Sequence, residues 1–376
     1  MKILFVSMPS VHVIRWIENL KDTSHELFWF DVLDRGRLDT LDSVTQVVNW
    51  KKRKVKYIKG EYFLSKKFPT VYEKAHPYLE VTENEALKRV LLDIKPDVVH
   101  SFEMQGCSYP IFKVMQECPN IKWLYSCWGN DLYYYQQFPI HLKKIKLVLS
   151  RVNYLHTDCK RDFEIAKQLG FQGKHVGVIP GGTGYKLQDL EIYKLPLEDR
   201  KIILVKGYEH HLGRGLNVVK ALQGIQNLIQ HYKVVVFGAH TKVIDYINSQ
   251  NLNFTVFDRH GLSHDELLKI MGRSLIYVGN SISDGMPNTL LEAIVMGVFP
   301  IQSNPGGVTG EIIENGKNGF LIQDPNNIKE IQQHIEEALK DNERLRNAQS
   351  INHSISRQLD YFLNQKKVVE LYERFR

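Results

Sequence analysis

Short apolar runs rich in β-branched residues recur along the chain. Between them, apolar residues return every three or four positions. Ile3–Val6, Val98–His100, Trp123–Ser126 and Val176–Ile179 form one set of runs; Ile202–Val205, Val234–Phe237, Ile276–Gly279 and Val298–Ile301 form a second. Most are continuous and not alternating, the pattern of strands buried on both faces of a parallel sheet. Asn326–Asp341 carries Ile328, Ile331, Ile335 and Leu339 at helical spacing, which predicts an amphipathic helix. Strand–helix alternation over nearly the whole length predicts an α/β fold with parallel sheets.

A chain of 376 residues exceeds the roughly 250–300 that one hydrophobic core sustains, so two lobes are expected. Gly181-Gly182-Thr183-Gly184 and the polar stretch through Pro196 interrupt the alternation before a fresh strand starts at Lys201. This predicts a linker over 181–200 between two doubly wound lobes, 1–190 and 200–355, with the ligand cleft between them. The last segment, 356–376, reads as helical and aromatic-rich (Tyr361, Phe362, Tyr372, Phe375). It is expected to pack back on the first lobe.

Composition narrows the class. Hydrophobic residues at 43% and charged residues at 24% are ordinary globular values, which excludes disorder, coiled coil and collagen. No apolar run approaches the roughly 20 residues of a bilayer span. Met1–Val6 is too short for a signal peptide's core and Arg15 comes soon after it, so a cytoplasmic location is expected. Cys107, Cys118, Cys127 and Cys159 show no Cys-x-x-Cys spacing, so reduced thiols are expected, with neither a zinc site nor a redox pair. The net charge of +7 favours anionic ligands or an anionic surface.

Lys51 to Lys67 holds eight basic residues and one acidic, interleaved with Tyr57, Tyr62 and Phe63. That mixture suits peripheral docking on anionic lipid headgroups, as on an inner membrane face, and suits a solvated loop or helix face equally well. No nucleic-acid module surrounds it. No glycine occurs between Ile3–Val6 and Gly36, and after Ile202–Val205 only Gly213-Arg214-Gly215 has a Gly-x-Gly spacing, without the third glycine. The dinucleotide fingerprint is therefore missing, which disfavours a nicotinamide enzyme.

The most informative stretch is Ser283-Asp284-Gly285-Met286-Pro287-Asn288-Thr289-Leu290-Leu291-Glu292-Ala293. A strand runs into a loop, and Pro287 stands where the first position of a helix is expected. The amides of such a helix start point into the crevice at the strands' carboxyl ends and favour phosphate. Asp284 on the loop and Glu292 two turns into the helix can flank a polyhydroxylated ligand. Asp284 as a capping residue and Glu292 as a surface glutamate is the plainer alternative.

At these residues the sequence resembles the retaining, nucleotide-sugar-dependent glycosyltransferases of family 4, which have the GT-B fold. Their signature is two acids separated by seven residues, then a small-residue helix and a strand. Asp284 and Glu292 have that spacing, with Ala293, Gly297 and Pro300 continuing the pattern. Asp in place of the commoner first Glu resembles one branch of the family. Further likeness is carried by Pro9-Ser10-Val11-His12 with Arg15-Trp16, by Lys95-Pro96-Asp97-Val98-Val99-His100-Ser101, and by Cys127-Trp128-Gly129-Asn130-Asp131. Val178-Ile179-Pro180-Gly181-Gly182, Asn315-Gly316-Lys317-Asn318-Gly319-Phe320 and Asp324-Pro325 complete it.

The resemblance implies roles residue by residue. Glu292 would hold the ribose hydroxyls of a nucleotide and Asp284 would contact the transferred sugar. The backbone of Gly285, Met286, Pro287, Asn288 and Thr289 would cap sugar and diphosphate. Acceptor-only carboxylates suit vicinal hydroxyls, and backbone donors suit phosphate. Family members place Gly-Arg after the second lobe's first strand and a Lys before a later Gly. Here Arg214 takes the lysine's place, Tyr208 stands at the arginine's, and Lys206 beside Gly207, or a histidine, is left to compensate. Solvated loop cations are the plainer reading of Arg214 and Lys206. The base would be read near Gly238 and Arg259.

In the first lobe His12, Arg15, His100, Trp128, Asn130 and Asp131 are the expected acceptor or cleft residues; each also reads as a structural residue. Several relatives have histidine where this chain has Trp128, so a catalytic histidine is not carried over. The resemblance implies front-face, retaining transfer from a UDP- or GDP-sugar to a glycan or lipid-linked hydroxyl, in bacterial surface polysaccharide synthesis. Asp284, Glu292 and Arg214 would carry it, with no cofactor and no metal. A GT-B epimerase or hydrolase and a non-catalytic carbohydrate-binding subunit are the alternatives.

Overall fold

The computed structural model describes residues 1–375; residue 376, the last of the expected terminal helical segment, lies outside the described residues. The chain forms two compact units. One comprises Met1–Thr157, Phe163–Val178 and the chain from Val368 onward, the other Asp158–Asp162 and Ile179–Lys367. No helix among the described residues is long and apolar enough to cross a membrane.

The first unit is built on seven strands: β1 (Lys2–Ser7), β2 (Glu26–Asp31), β3 (Thr45–Val47), β4 (Val98–Phe102), β5 (Lys122–Ser126), β6 (Tyr154–Thr157) and β7 (Lys174–Val178). They lie in the order β3-β2-β1-β4-β5-β6-β7, every pairing parallel. Ile3, Leu4, Phe5 and Val6 are all fully buried, because helices cover both faces and leave no strand position for water. The second unit has β8 (Ile202–Lys206), β9 (Lys233–Ala239), β10 (Thr255–Asp258), β11 (Ser274–Gly279), β12 (Phe299–Ser303) and β13 (Phe320–Ile322). Their order is β10-β9-β8-β11-β12-β13, again parallel throughout.

Both sheets grow outward in two directions from their first strand. Right-handed crossovers then send successive helices to opposite faces, and the loops diverge where the winding reverses. That point lies between β1 and β4 in one unit and between β8 and β11 in the other. The loops after β8 and β11 are thereby fixed as the second unit's natural ligand position.

Two expectations are corrected. Pro287 is the residue before the helix Asn288–Val295, not its first; its ψ of 120° is extended, while its carbonyl already accepts from the Leu290 and Leu291 amides. Within the expected helical segment 356–376, a tight turn over Arg357–Leu359 follows the end of the helix Asn342–Ser356, and the terminal helix runs Tyr361–Glu373. Asp360, between them, has extended backbone and pairs with Tyr185.

His100, expected to face a ligand, is fully buried. The Trp16 indole N–H donates to the Tyr372 hydroxyl at 2.9 Å, and that hydroxyl lies 2.5 Å from His100 Nδ1. His100 Nε2 lies 2.7 Å from Ser126 Oγ, which lies 2.8 Å from His156 Nδ1. With its proton directed to His100, Tyr372 satisfies two buried groups at once. Burial and then His156 push the His100 pKa well below its ordinary value, so the ring is a neutral link in the core.

Tyr372→Phe is expected to leave the Trp16 donor and the His100 acceptor unsatisfied. It should destabilise the protein by about 1–3 kcal/mol, read as a lower urea midpoint. An unchanged midpoint would contradict this account of the network.

Candidate functional site

At the carboxyl end of β8 the chain turns through Gly207–Arg214 into the helix Gly215–Gln223. This loop is stitched to the one after β11. The Arg214 amide donates to the Asn280 carbonyl at 3.0 Å and the Ile282 amide to the Leu212 carbonyl at 2.9 Å. Asn280 Nδ2 reaches the Arg214 and Pro325 carbonyls at 3.2 and 2.8 Å. Gly215 is required by space: a Cβ there would lie 2.8 Å from the Lys206 carbonyl oxygen.

Lys206, the last residue of β8, holds its Nζ 3.9 Å from Asp284 Oδ2, with 18% of its side chain exposed. The ammonium also lies over the Tyr208 ring, 4.7 Å from its centroid. Burial alone lowers a lysine's pKa, but Asp284, then Tyr277, Tyr208 and Glu292 act against it, and the net shift is upward. The lysine is therefore a fixed positive charge. The Tyr208 ring packs over Gly238, whose φ is +61° and whose Cβ, if added, would sit 2.4 Å from Tyr208 Cε1. Glycine at 238 thus makes room for the ring that supports Lys206.

Asp284 is held by its backbone. Its carbonyl accepts from Arg161 Nη2 at 2.9 Å, and Arg161 Nη1 also donates to the Pro305 carbonyl at 2.7 Å. The Asp284 side chain is 32% exposed, its Oδ1 accepting from the Gly285 amide at 3.0 Å. Gly285 and Met286 are buried, and Pro287 leads into the helix headed by the half-buried Asn288 and Thr289. Thr289 Oγ1 accepts from the Tyr277 hydroxyl at 3.0 Å, whose pKa burial pushes up to about 12. Glu292, on the inward side of that helix, is 4% exposed, and its Oε1 lies 2.8 Å from His264 Nε2. It is not a surface glutamate.

Arg214 is half-buried, its guanidinium bonded to the Gly213 and His211 carbonyls at 2.6 and 3.2 Å and to Asn326 Oδ1 at 3.3 Å. The helix it precedes is capped by Glu209, whose Oε2 accepts from the Leu216 amide at 2.9 Å. His210 reaches solvent, yet partial burial, then His211, His240, Lys206 and Arg259, hold its pKa down to about 4. Lys206 stays charged at neutral pH, whereas His210 is neutral there, so the lysine is the better stand-in for the absent arginine of these two. Arg259 is exposed. His264, Tyr277, Glu209 and Arg161 escaped the sequence reading; only Arg161, in the charged run after β6, gave any signal.

In the first unit, the Asp131 carboxylate is a loop anchor. Its Oδ2 accepts from the Met104 and Trp128 amides, each at 3.0 Å, and from the Tyr125 hydroxyl at 2.7 Å. This fixes Trp128, whose ring meets His12 edge to face at 5.7 Å. Arg15 and Asn130 are half-buried nearby in sequence.

Among the described residues, Asp158, Cys159 and Asp162 bring their donor atoms within 4.8 Å of one another. The set does not suit a cation, because the Arg161 guanidinium already sits 2.8 Å from the Asp162 carboxylate. Burial and then Asp162 push the Asp158 pKa up to about 8, against 3.8 ordinarily. A raised folded-state pKa stabilises at low pH and loses that contribution as pH climbs through it. Asp158→Asn, which mimics the protonated form, is expected to gain in melting temperature relative to the native protein as pH rises from about 6 to about 9. A difference that is flat with pH would contradict it.

Residues 188–354 match the family model described as glycosyl transferases group 1. No curated protein sequence matches the chain. Solved structures share its fold at low identity. Sucrose-phosphate synthase from Thermosynechococcus elongatus is 15% identical with a TM-score of 0.72, over 100% of this chain and 98% of that one. Anabaena HepE, solved with UDP and glucose, is 16% identical with a TM-score of 0.67 over 100% of both chains. The lipopolysaccharide outer core galactosyltransferase WaaB is 15% identical with a TM-score of 0.67, over 100% of this chain and 99% of that one. The fold is thus the α/β, two-lobe Rossmann-like architecture of GT-B proteins, and the family match supports glycosyl transfer as the reaction class.

Proposed function

We propose that the protein is a retaining glycosyltransferase that moves a sugar from a UDP- or GDP-sugar to a hydroxyl of a glycan or lipid-linked acceptor. The observation that carries this reading is the grouping at the β8–β11 switch: a charged Lys206, the Asp284 carboxylate beside it and a buried Glu292 one helix turn away from Asn288. A diphosphate needs fixed positive charge and amide donors; a sugar and a ribose need carboxylate acceptors. All are present on one end of one sheet. The UDP and UDP-glucose recorded with Anabaena HepE support a nucleotide-sugar donor.

In this reading Glu292, oriented by His264, accepts from the ribose hydroxyls, and Asp284 accepts from hydroxyls of the transferred sugar. As the bond from the anomeric carbon to the phosphate oxygen breaks, negative charge collects on the diphosphate. Lys206, Arg214 and the amides at the start of Asn288–Val295 stabilise that charge. The acceptor oxygen bonds the anomeric carbon on the same face, and its proton passes to the departing phosphate oxygen. His12, Arg15, Trp128 and Asn130 are proposed on the acceptor side; Asp131 anchors the loop that carries Trp128 and Asn130. Fixed cations take the place of a metal, so the assay is run in EDTA.

Glu292→Ala is expected to weaken UDP or GDP binding by about tenfold to a hundredfold, the loss of one or two charge-assisted hydrogen bonds. Asp284→Asn should lower kcat by about a hundredfold or more while leaving nucleotide affinity within about threefold. Titration calorimetry and turnover of UDP- and GDP-sugars measure both. Nucleotide affinity unchanged in Glu292→Ala, or native kcat in Asp284→Asn, would sink the assigned roles.

A further inference from the structure

Residues 51–79 are turned inside out. Two helices, Glu61–Lys67 and Pro69–Leu79, make up most of the segment, and its one buried residue is a carboxylate, Glu61. Arg53 grips Glu61 through two guanidinium nitrogens at 2.5 and 2.8 Å and reaches Glu80 at 3.2 Å; the Tyr72 hydroxyl donates to the same Glu61 at 3.2 Å. Backbone bonds from Lys54 to Leu79 and from Val81 to Lys52 close the base. The polar hub is inside, and the apolar residues are outside. Tyr57, Ile58, Tyr62, Phe63, Phe68 and Tyr78 are each more than half exposed. Five of the seven exposed aromatics of the described chain lie in this one segment.

Charge is concentrated in the same place. Residues 51–79 hold nine Lys and Arg against two Glu, and the remaining chain holds forty basic and forty acidic residues, so the whole net charge of +7 resides here. Lys52, Lys56, Lys59, Lys67 and Lys74 are exposed and form no ion pair with described residues. A soluble surface seldom leaves so many large apolar groups together in water without a binding role.

We propose that this segment docks the protein on an anionic lipid bilayer, with the aromatic and aliphatic side chains entering the headgroup layer and the lysines meeting lipid phosphates. Interfacial anchors combine these two residue classes, and aromatic rings settle at headgroup depth. Ile58, Phe63, Phe68 and Val71 would gain little from a hydrated polyanion, whereas an acyl boundary removes them from water. Lysines dispersed over both helices and the preceding loop match an extended charged plane and not a compact acidic peptide. The inference is independent of the donor site and stands or falls without it.

The test is sedimentation of the full chain with vesicles of phosphatidylcholine alone or with about 30 mole per cent phosphatidylglycerol. Binding is expected to the anionic vesicles only and to fall steeply by about 0.5 M salt. Lys66→Glu with Lys67→Glu should reduce vesicle partition about tenfold or more. Tyr62→Ser with Phe63→Ser should also reduce it, with circular dichroism and melting temperature unchanged because all four residues are exposed. Absence of vesicle binding, equal binding to neutral vesicles, or native binding by both variants would overturn the proposal. Binding to RNA or heparin in place of vesicles would overturn it too.

Discussion

Lys206 ends β8 with most of its side chain out of water, a position that by itself disfavours an ammonium. The Asp284 carboxylate 3.9 Å away, with Tyr277, Tyr208 and Glu292 around it, outweighs burial and keeps the charge. Much of the second unit's architecture serves that pair. Gly238 yields space to the Tyr208 ring beneath the ammonium, and Arg161 fixes the Asp284 carbonyl. Asn280 ties the two loops that carry lysine and carboxylate to one another. An exposed pair at this separation would contribute little. Here most of the lysine side chain is out of water, so the attraction is screened less than in an exposed pair.

The parallel sheet explains why the pair forms where it does. Strands covered on both faces can carry chemistry only at their ends, and the reversal of winding between β8 and β11 opens the loops there. The helix Asn288–Val295 then presents its first amides beside Asp284, while its second turn carries Glu292 inward to His264. Glu209, by contrast, caps the helix Gly215–Gln223 from within the protein. The two helix starts nearest the switch are therefore not equivalent: one is capped by the Glu209 carboxylate, and the other has no side-chain cap.

Most central strands were legible in the sequence because a strand buried on both faces tends to be continuously apolar. β1, β4, β5, β8, β9, β11 and β12 all coincide with such runs. β2 (Glu-Leu-Phe-Trp-Phe-Asp) was missed because its bulk is aromatic and charged residues close both ends. β6 (Tyr-Leu-His-Thr), interior to its sheet, was missed because its apolar stretch is only two residues long; β3, β10 and β13 were missed as short edge strands, and β10 is half exposed. Asp284 and Glu292 were singled out by their spacing, and Pro287 was placed within one residue of the helix start. His264 lies 28 residues before Glu292 and meets it only through the fold. A histidine ending a strand reads the same whether it faces a ligand or a core. Only the return of Tyr372, 272 residues later, decides that His100 is structural. The basic, aromatic run at 51–67 was visible at once. Its reversal of inside and outside, with Glu61 buried and the rings exposed, needed coordinates.

The most direct measurement is a crystal structure of the protein soaked with UDP or GDP. The account predicts diphosphate density within hydrogen-bond reach of Lys206 Nζ and the Asn288 and Thr289 amides, with the ribose hydroxyls on Glu292. Nucleotide density elsewhere on the molecule, or an unoccupied β8–β11 switch at saturating nucleotide, would contradict it.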